Sequence, residues 1–371
     1  MFLPHRVVFE EAALEYPLGQ QIWQRFKSDS KARLEVLQKR QRITGTRGAS
    51  PAEAYTEGKR TLIIGVRRTL DFQSCRPSAH FQLPLVSGCM GQCEYCYLNT
   101  HFGKNPYVRV YVNLDEILAQ TKQYIEQRKP ETTVFEGAAT SDPVPVEPYT
   151  GALAETIGFF AGQDHGSFRF VTKYTDIESL LTIEHRGRTT IRFSINSDHI
   201  IKSYEHAAPS LVKRLETAQK IARAGYPMGF IIGPVIIYDG WKQDYQEMFN
   251  LLTQYLSASE PQNLSFEIIS HRFTAKAKKI IEAVYPHTDL PWMKNSAAIN
   301  TVNSVMENIF IPRSICRKSR IILLIGWLQG SPVQTSAILF RMFIYYPWAG
   351  TLNLITISVP HGPEYGLILA S

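Results

Sequence analysis

The stretch "SGCMGQCEYCYLNT", residues 87–100, places Cys89, Cys93 and Cys96 in one short loop as C-x3-C-x2-C, three of the chain's five cysteines. Zinc would want four ligands, usually two C-x2-C pairs or cysteines with nearby histidines. This set stops at three, and His101, which follows, is poorly placed for a compact knuckle. A four-iron cluster has four irons to ligate. Three thiolates in one loop hold three of them and leave the fourth open to another ligand. Cysteines that are clustered and odd in number do not read as a secreted disulfide framework; a reducing cytosol fits better.

Outward from this loop, strand-like and helix-like segments alternate. "TLIIGVRR" reads as a strand, and "FQLPLVSG" leads into the cysteines. "LDEILAQTKQYIEQR" is an amphipathic helix with Leu114, Ile117, Leu118, Thr121 and Ile125 on one face. Strands follow at "TTVFEGAATSD", "FRFVTKY", "TTIRFSIN", "PMGFIIGPVII" and "LSFEIIS". Between and after them come helices at "GALAETIGFFAG", "DIESLLTIEH", "SLVKRLETAQKIARAG", "DYQEMFNLLTQYL" and "AKAKKIIEAVY". Such alternation with short joints implies a parallel sheet with helices outside. About six units predict an α/β chain forming a partial (β/α)6 barrel of the TIM type. Chemistry in such folds sits at the C-terminal ends of the strands. Cys89, Ser141-Asp142, Lys173 and Ser194-Asn196 all fall at such ends. The expected division is an N-terminal extension over 1–60, mostly charged helix and loop, a barrel over 61–289, and a tail over 290–371.

The chain has 371 residues, 44% hydrophobic and 20% charged, an ordinary globular composition. The start "MFLPHRVVFEEAALEY" has no basic run before a long apolar one, so no signal peptide is read. The most apolar window, "AILFRMFIYYPWAGTLNLITISV", is broken by Arg341 and Pro347, and no membrane partner is expected. A formal charge of +7 leans toward a polyanionic partner.

C-x3-C-x2-C with an aromatic before the last cysteine resembles the signature of radical S-adenosylmethionine enzymes. "PSAHFQLPLVSGCMGQCEYCYLNT", "VRVYVNLDEIL", "FEGAATSD", "FRFVTKY", "IRFSINSD", "AGYPMGFIIGPV" and "EIISHRFTAKAKKIIEAVYP" together resemble the spore photoproduct lyase family, from about residue 6 to about 289. That resemblance implies repair of 5-thyminyl-5,6-dihydrothymine in the DNA of germinating spores, hence a cytoplasmic place in the spore core or germinating cell. It implies Cys89, Cys93 and Cys96 as ligands of a [4Fe-4S] cluster. The open iron would be chelated by S-adenosylmethionine, and an external donor of flavodoxin or ferredoxin type would supply the electron. The resulting adenosyl radical takes a hydrogen from C6 of the lesion, the methylene bridge breaks, and a thymine methyl-type radical must be quenched. By the same resemblance, Tyr95 lies against the adenine. Ser141, Asp142, Lys173, Ser194 and Asn196 contact S-adenosylmethionine, and Tyr97 relays the hydrogen atom.

Two departures matter. Ala139 occupies the place of the family's hydrogen-donating cysteine, and a methyl group cannot deliver a hydrogen atom as a thiol does. Cys75, in "FQSCRPSAHF", is the one cysteine within the matching region that is not an expected ligand, and so the expected surrogate donor, beside the reading of it as a small buried hydrophobe. The alternatives are a radical enzyme on another substrate and an inactive iron–sulfur pseudo-enzyme. The second departure is the tail, which is nearly free of acidic residues and has no strand or helix period. Reading "PWMKNS" one nucleotide back forces Asp-Glu. "NTVNSVMENIFIP" read the same way permits a Tyr/Gly-rich segment like the family's. The expectation is a frameshift near residue 290 and no catalytic role for Cys316. For DNA, the expected phosphate contacts are Arg67, Arg68, Arg76, Lys104, Arg272 and Lys276.

Overall fold

The computed structural model describes residues 2–28, 31–38, 41, 43, 48–76, 78–103, 105–257, 264–271 and 273–292, together with three strands in 321–358. The chain opens with β1 (Arg6–Glu10), α1 (Pro17–Ser28), β2 (Arg33–Leu37), α2 (Pro51–Lys59) and β3 (Thr61–Gly65). Around the cysteines lie β4 (Phe81–Gln82), β5 (Val86–Ser87), β6 (Gln92–Cys93), α3 (Leu98–His101) and β7 (Val108–Tyr111). Next come α4 (Leu114–Gln127), β8 (Thr133–Glu136), α5 (Glu147–Thr150), α6 (Ala152–Ala161) and β9 (Gly166–Thr172). Then follow β10 (Thr189–Ile195), α7 (Asp198–Tyr204), β11 (Glu205–His206), α8 (Leu211–Arg223) and β12 (Met228–Val235). Last are α9 (Trp241–Ser257), β13 (Ser265–Ser270), α10 (Ala275–Val284), β14 (Ile321–Ile325), β15 (Leu339–Ile344) and β16 (Ile355–Ser358).

Strand β9, GSFRFVT, alternates buried and half-buried positions, the mark of a strand with two unlike faces. On one face Phe168 and Phe170 are fully buried, and Phe168 stacks on Phe160 of α6 with centroids 5.4 Å apart. The other face carries Arg169, whose Nε donates to Glu136 of β8 at 3.2 Å. The same division repeats across the sheet. Phe193 and Phe230 pack as neighbours on β10 and β12, and Phe230 stacks on Phe266 of β13 at 5.8 Å. Between the charged positions, Arg192 donates to Glu136 and, at 2.7 Å, to Glu267. Strands β4, β8, β9, β10, β12 and β13 pair in parallel in that order, which is the partial six-stranded barrel; α-helices join them except between β9 and β10, where the helix expected at "DIESLLTIEH" is reduced to a single 3-10 turn, Glu178–Leu180. Apolar side chains face the helices, and a ladder of two glutamates and two arginines crosses the other face.

A second sheet runs β2-β1-β3-β7-β5, parallel except where β5 meets β7. Residues 1–60 therefore hold more than charged helix and loop: β1 and β2 join this sheet, with Val7, Val8 and Phe9 fully buried. A three-residue apolar run is too short to show a period, which is why a strand buried on both faces is hard to read there. Helix α4 buries Leu114, Ile117, Leu118, Thr121 and Ile125, the face its periodicity predicts. Past α10, Leu290 is buried and Trp292 packs with it against Ile200, Tyr204 and Ile236. In the tail, β14 pairs in parallel with β13, and β15 and β16 add antiparallel strands, which the lack of a period in that stretch did not suggest. The rest of the tail, Cys316 included, lies outside the described residues. No helix among the described residues is long and apolar enough to cross a membrane.

Candidate active site

The cysteine loop leaves β5 through Gly88, whose φ of +79° is open to glycine. A Cβ there would also lie 2.0 Å from the Tyr107 carbonyl oxygen. Several elements then grip the loop. Lys59, buried at the end of α2, donates from Nζ to the Cys89 carbonyl at 2.8 Å. Asn99 Nδ2 donates to the carbonyls of Cys93 and Glu94, both at 3.1 Å, and Tyr55 donates to Asn99 Oδ1. Strand β6 pairs with β11, setting Cys93 opposite Glu205 and Gln92 opposite His206. His206 Nε2 lies 2.6 Å from Glu94 Oε1.

Gly91 sits between two of the sulfurs. Its N–H donates to Cys89 Sγ at 3.3 Å, and a Cβ on it would stand 3.4 Å from Cys89 Sγ and 3.8 Å from Cys93 Sγ. All three loop cysteines are free thiols. Burial pushes the Cys89 thiol up to about 12 and the Cys93 thiol to about 11. Among the described residues, no three His, Cys, Asp or Glu side chains gather as closely as a single ion requires.

Around the loop stand the ends of β8, β9 and β10. Ser141 bridges to Gly88, tying the end of β8 to the cysteine loop. Asp142 is buried and accepts from Thr172 Oγ1 at 2.8 Å, the Lys173 N–H at 3.0 Å and the Val144 N–H at 3.3 Å. Burial lifts its carboxyl to about 6 against the pull of those donors. Lys173 Nζ lies 2.7 Å from Tyr95 Oη, 2.7 Å from Glu205 Oε1 and 3.8 Å from Cys93 Sγ. Tyr95 in turn donates its hydroxyl to Glu205. Asn196 is fully buried and already engaged. Its Oδ1 accepts from Tyr245 at 2.7 Å and from the Ser197 N–H at 2.9 Å, while Nδ2 donates to the Pro234 carbonyl at 2.8 Å. Ser194 is nearly buried, and its carbonyl accepts from Arg214 Nη1 at 3.0 Å. The ends of β8 and β9 thus meet the cysteine loop through Ser141 and Lys173, while Ser194 and Asn196 at the end of β10 make their contacts with Arg214, Tyr245 and Pro234.

Tyr97 donates its hydroxyl to the Ala139 carbonyl. Cys75 lies beside β4, its N–H donating to the His80 carbonyl at 3.3 Å. Burial and then the Glu136 carboxylate push its thiol up to about 11, while Arg169 and Arg192 oppose them.

Sequence reasoning missed the hub of the site. Glu205 is fully buried and binds Arg214 Nη2 at 2.5 Å as well as Lys173 and Tyr95. Burial alone would raise its carboxyl, but Lys173 and Arg214 outweigh that and hold it down at about 2. "YEHAAPSLVKR" carries no motif, and its Glu and Arg meet only because β11 turns back against β6. Of the expected phosphate contacts, Arg68, Arg76 and Lys276 are exposed and Arg67 is half-buried. Lys104 and Arg272 lie outside the described residues.

A six-stranded partial barrel with three free cysteines in one loop at its C-terminal mouth, ringed by a buried carboxylate and a lysine, defines a radical S-adenosylmethionine enzyme. The chain belongs to the spore photoproduct lyase family, whose model matches residues 2–299, ten residues further than the sequence motifs reach. It is 53% identical over 287 residues to spore photoproduct lyase of Clostridium acetobutylicum, covering 77% of this chain and 84% of that protein. Among solved structures, it resembles a double mutant of spore photoproduct lyase with bound AdoMet and dinucleoside spore photoproduct. That likeness has a TM-score of 0.80 and 39% identity, over 86% of this chain and 98% of that one. A tyrosine-to-phenylalanine mutant of spore photoproduct lyase superposes with a TM-score of 0.78 at 38% identity, over the same shares.

Proposed function

We propose that this chain reverses the spore photoproduct in DNA to two thymines, with a [4Fe-4S] cluster on Cys89, Cys93 and Cys96 and S-adenosylmethionine beside it. The observation that carries this reading is the cysteine loop itself: Cys89 and Cys93, both free, flank Gly91, whose N–H donates to Cys89 Sγ at 3.3 Å, and Lys173 Nζ stands 3.8 Å from Cys93 Sγ. When bound and reduced, the cluster and cofactor together supply a 5′-deoxyadenosyl radical.

The chain's own residues bind and orient. Asp142 spends three of its roughly four acceptor sites on Thr172, Val144 and Lys173, which leaves one for the cofactor's ammonium. Lys173, held beside Cys93 by Glu205 and Tyr95, pairs with the cofactor's carboxylate. Tyr95, fixed through its hydroxyl, offers its ring to the adenine. Asn196, engaged by Tyr245, Ser197 and Pro234, serves chiefly to tie the end of β10 to β12 and α9.

Cys75 is the hydrogen donor in this reading. The solved double mutant replaces one cysteine by alanine and one serine by cysteine, and the two positions stand sixty-four residues apart, the separation of Cys75 from Ala139. The tyrosine of the other mutant precedes that same cysteine by forty-two residues, as Tyr97 precedes Ala139. This chain thus carries the same alanine and cysteine in its own sequence. Cys75 Sγ gives its hydrogen atom to the methylene radical of the freed thymine, completing the methyl group. The Tyr97 O–H then returns a hydrogen atom to the sulfur and passes the radical back toward the cofactor. Burial keeps Cys75 a thiol, the form that donates a hydrogen atom. The electron comes from a flavodoxin- or ferredoxin-type donor, and the setting is the core of a germinating spore.

Repair of a dinucleotide lesion in D2O tests the assignment. The wild-type chain places deuterium in the methyl group of the repaired thymine, and Cys75→Ala gives abnormally quenched product without it. Clean, deuterated repair by Cys75→Ala would remove Cys75 from the mechanism.

A further inference from the structure

Arg67 follows β3 and is held from both sides by one buried asparagine. Its N–H donates to Asn113 Oδ1 at 2.8 Å, and Asn113 Nδ2 donates to its carbonyl at 3.0 Å. The guanidinium carbon stands 5.7 Å from the centroid of the Tyr111 ring, a cationic contact that further fixes the side chain. Yet one of its guanidinium nitrogens is unmet. Nε is buried with no hydrogen-bond partner, and no carboxylate pairs with this arginine among the described residues. Nearby Arg109, by contrast, pairs with Glu10 at 2.7 Å. A half-buried guanidinium held in place, with a buried Nε that no protein group meets, is ready to take an acceptor oxygen from an incoming anion.

Arg67 lines a cavity of about 220 Å³ shared with Gln82, His101, Glu136, Ala139 and Ser141. This cavity reaches the reaction site, since Ala139 marks the missing donor and Ser141 the cofactor side. The carboxylate in its wall does not oppose an anion, because Glu136 is bound by both Arg169 and Arg192. A guanidinium with its plane fixed offers parallel N–H donors that match phosphate oxygens.

We propose that Arg67 is the anion-binding residue of this cavity and takes the phosphodiester that joins the two thymidines of the lesion. The assignment rests on the lesion-repair reading above and goes beyond it by separating recognition of the crosslinked bases from recognition of their backbone. Two ligands distinguish the parts: the dinucleoside spore photoproduct, which lacks the phosphate, and the dinucleotide, which has it. Binding is measured on the reconstituted full chain without reductant, so that no turnover occurs.

Wild type is expected to bind the dinucleotide roughly ten- to a hundredfold more tightly than the dinucleoside at low salt, as a charge-assisted contact implies. Arg67→Gln is expected to erase that difference while leaving dinucleoside affinity within about twofold and the melting temperature unchanged. Arg67→Lys keeps the charge without the fork and recovers part of the difference. Arg68→Gln, exposed and outside the cavity lining, retains it. Equal binding of the two ligands by wild type would overturn the assignment, as would equal losses for both ligands in Arg67→Gln. Failure of both ligands to bind wild type would overturn the lesion reading along with it.

Discussion

Glu267→Gln removes one charge from the ladder inside the barrel and changes almost nothing else in shape. Glu267 Oε1 takes a 2.7 Å bond from Arg192 Nη1, and both side chains are nearly buried. The ladder is balanced, with Arg169 and Arg192 set against Glu136 and Glu267. The amide leaves two guanidiniums facing one carboxylate in a place water barely reaches. Breaking a buried pair in this way costs about 3–5 kcal/mol. The cost depends on pH with a definite sign. Burial alone raises the Glu267 carboxyl, but Arg192 and Arg169 outweigh it and the folded value lies below the ordinary one. Its contribution is therefore complete above the unfolded carboxylate range near 4.5 and fades as pH falls below that. Urea unfolding of wild type and Glu267→Gln at pH 7 and pH 3.5 measures both effects. The gap between the two proteins should be large at pH 7 and narrower at pH 3.5. A companion Arg192→Met/Glu267→Gln chain removes one charge of each sign and should regain part of the loss. A cost under about 1 kcal/mol at pH 7, or a gap that widens in acid, would refute the reasoning.

Lys173→Met removes the partner expected for the cofactor's carboxylate, so S-adenosylmethionine should bind roughly ten- to a hundredfold more weakly in equilibrium dialysis, while the three cysteines still load iron. Gly91→Ala puts a methyl 3.4 Å from Cys89 Sγ and 2.9 Å from Tyr174 Oη, so iron and sulfide bound per chain should fall. Moving the reading frame by one nucleotide near codon 290 should give a chain with a Tyr/Gly-rich C-terminal segment that holds lesion-bearing DNA more tightly in a gel-shift titration.

The barrel was legible because its evidence is local. Most strands are short apolar runs, β9 with a plain alternation, most helices carry their own face, and α4 buries the five residues its period marks. The cysteine loop was legible for the same reason, since spacing within eight positions already limits what it can hold. Lys173 and Asp142 could be placed at strand ends, but their partners could not. Glu205 and Arg214 are separated from Cys93 by more than a hundred residues and meet it only through the β6–β11 pairing. The ladder is hidden in another way: Glu136, Arg169, Arg192 and Glu267 each read as the polar half of an ordinary strand. Only closure of the sheet brings them together away from water. Strand β1 was obscured because a run as short as Val7–Phe9 carries no period, and its burial comes from neighbours on both sides.

Electron–nuclear double resonance on the reduced, reconstituted chain tests the central claim most directly, using S-adenosylmethionine labelled with 15N at its amino group. Direct ligation of the cofactor to an iron that no cysteine occupies predicts a clear 15N coupling, lost when any one of Cys89, Cys93 or Cys96 is changed to alanine. A reduced cluster whose spectrum is indifferent to the label, or a chain that binds no iron, would contradict it.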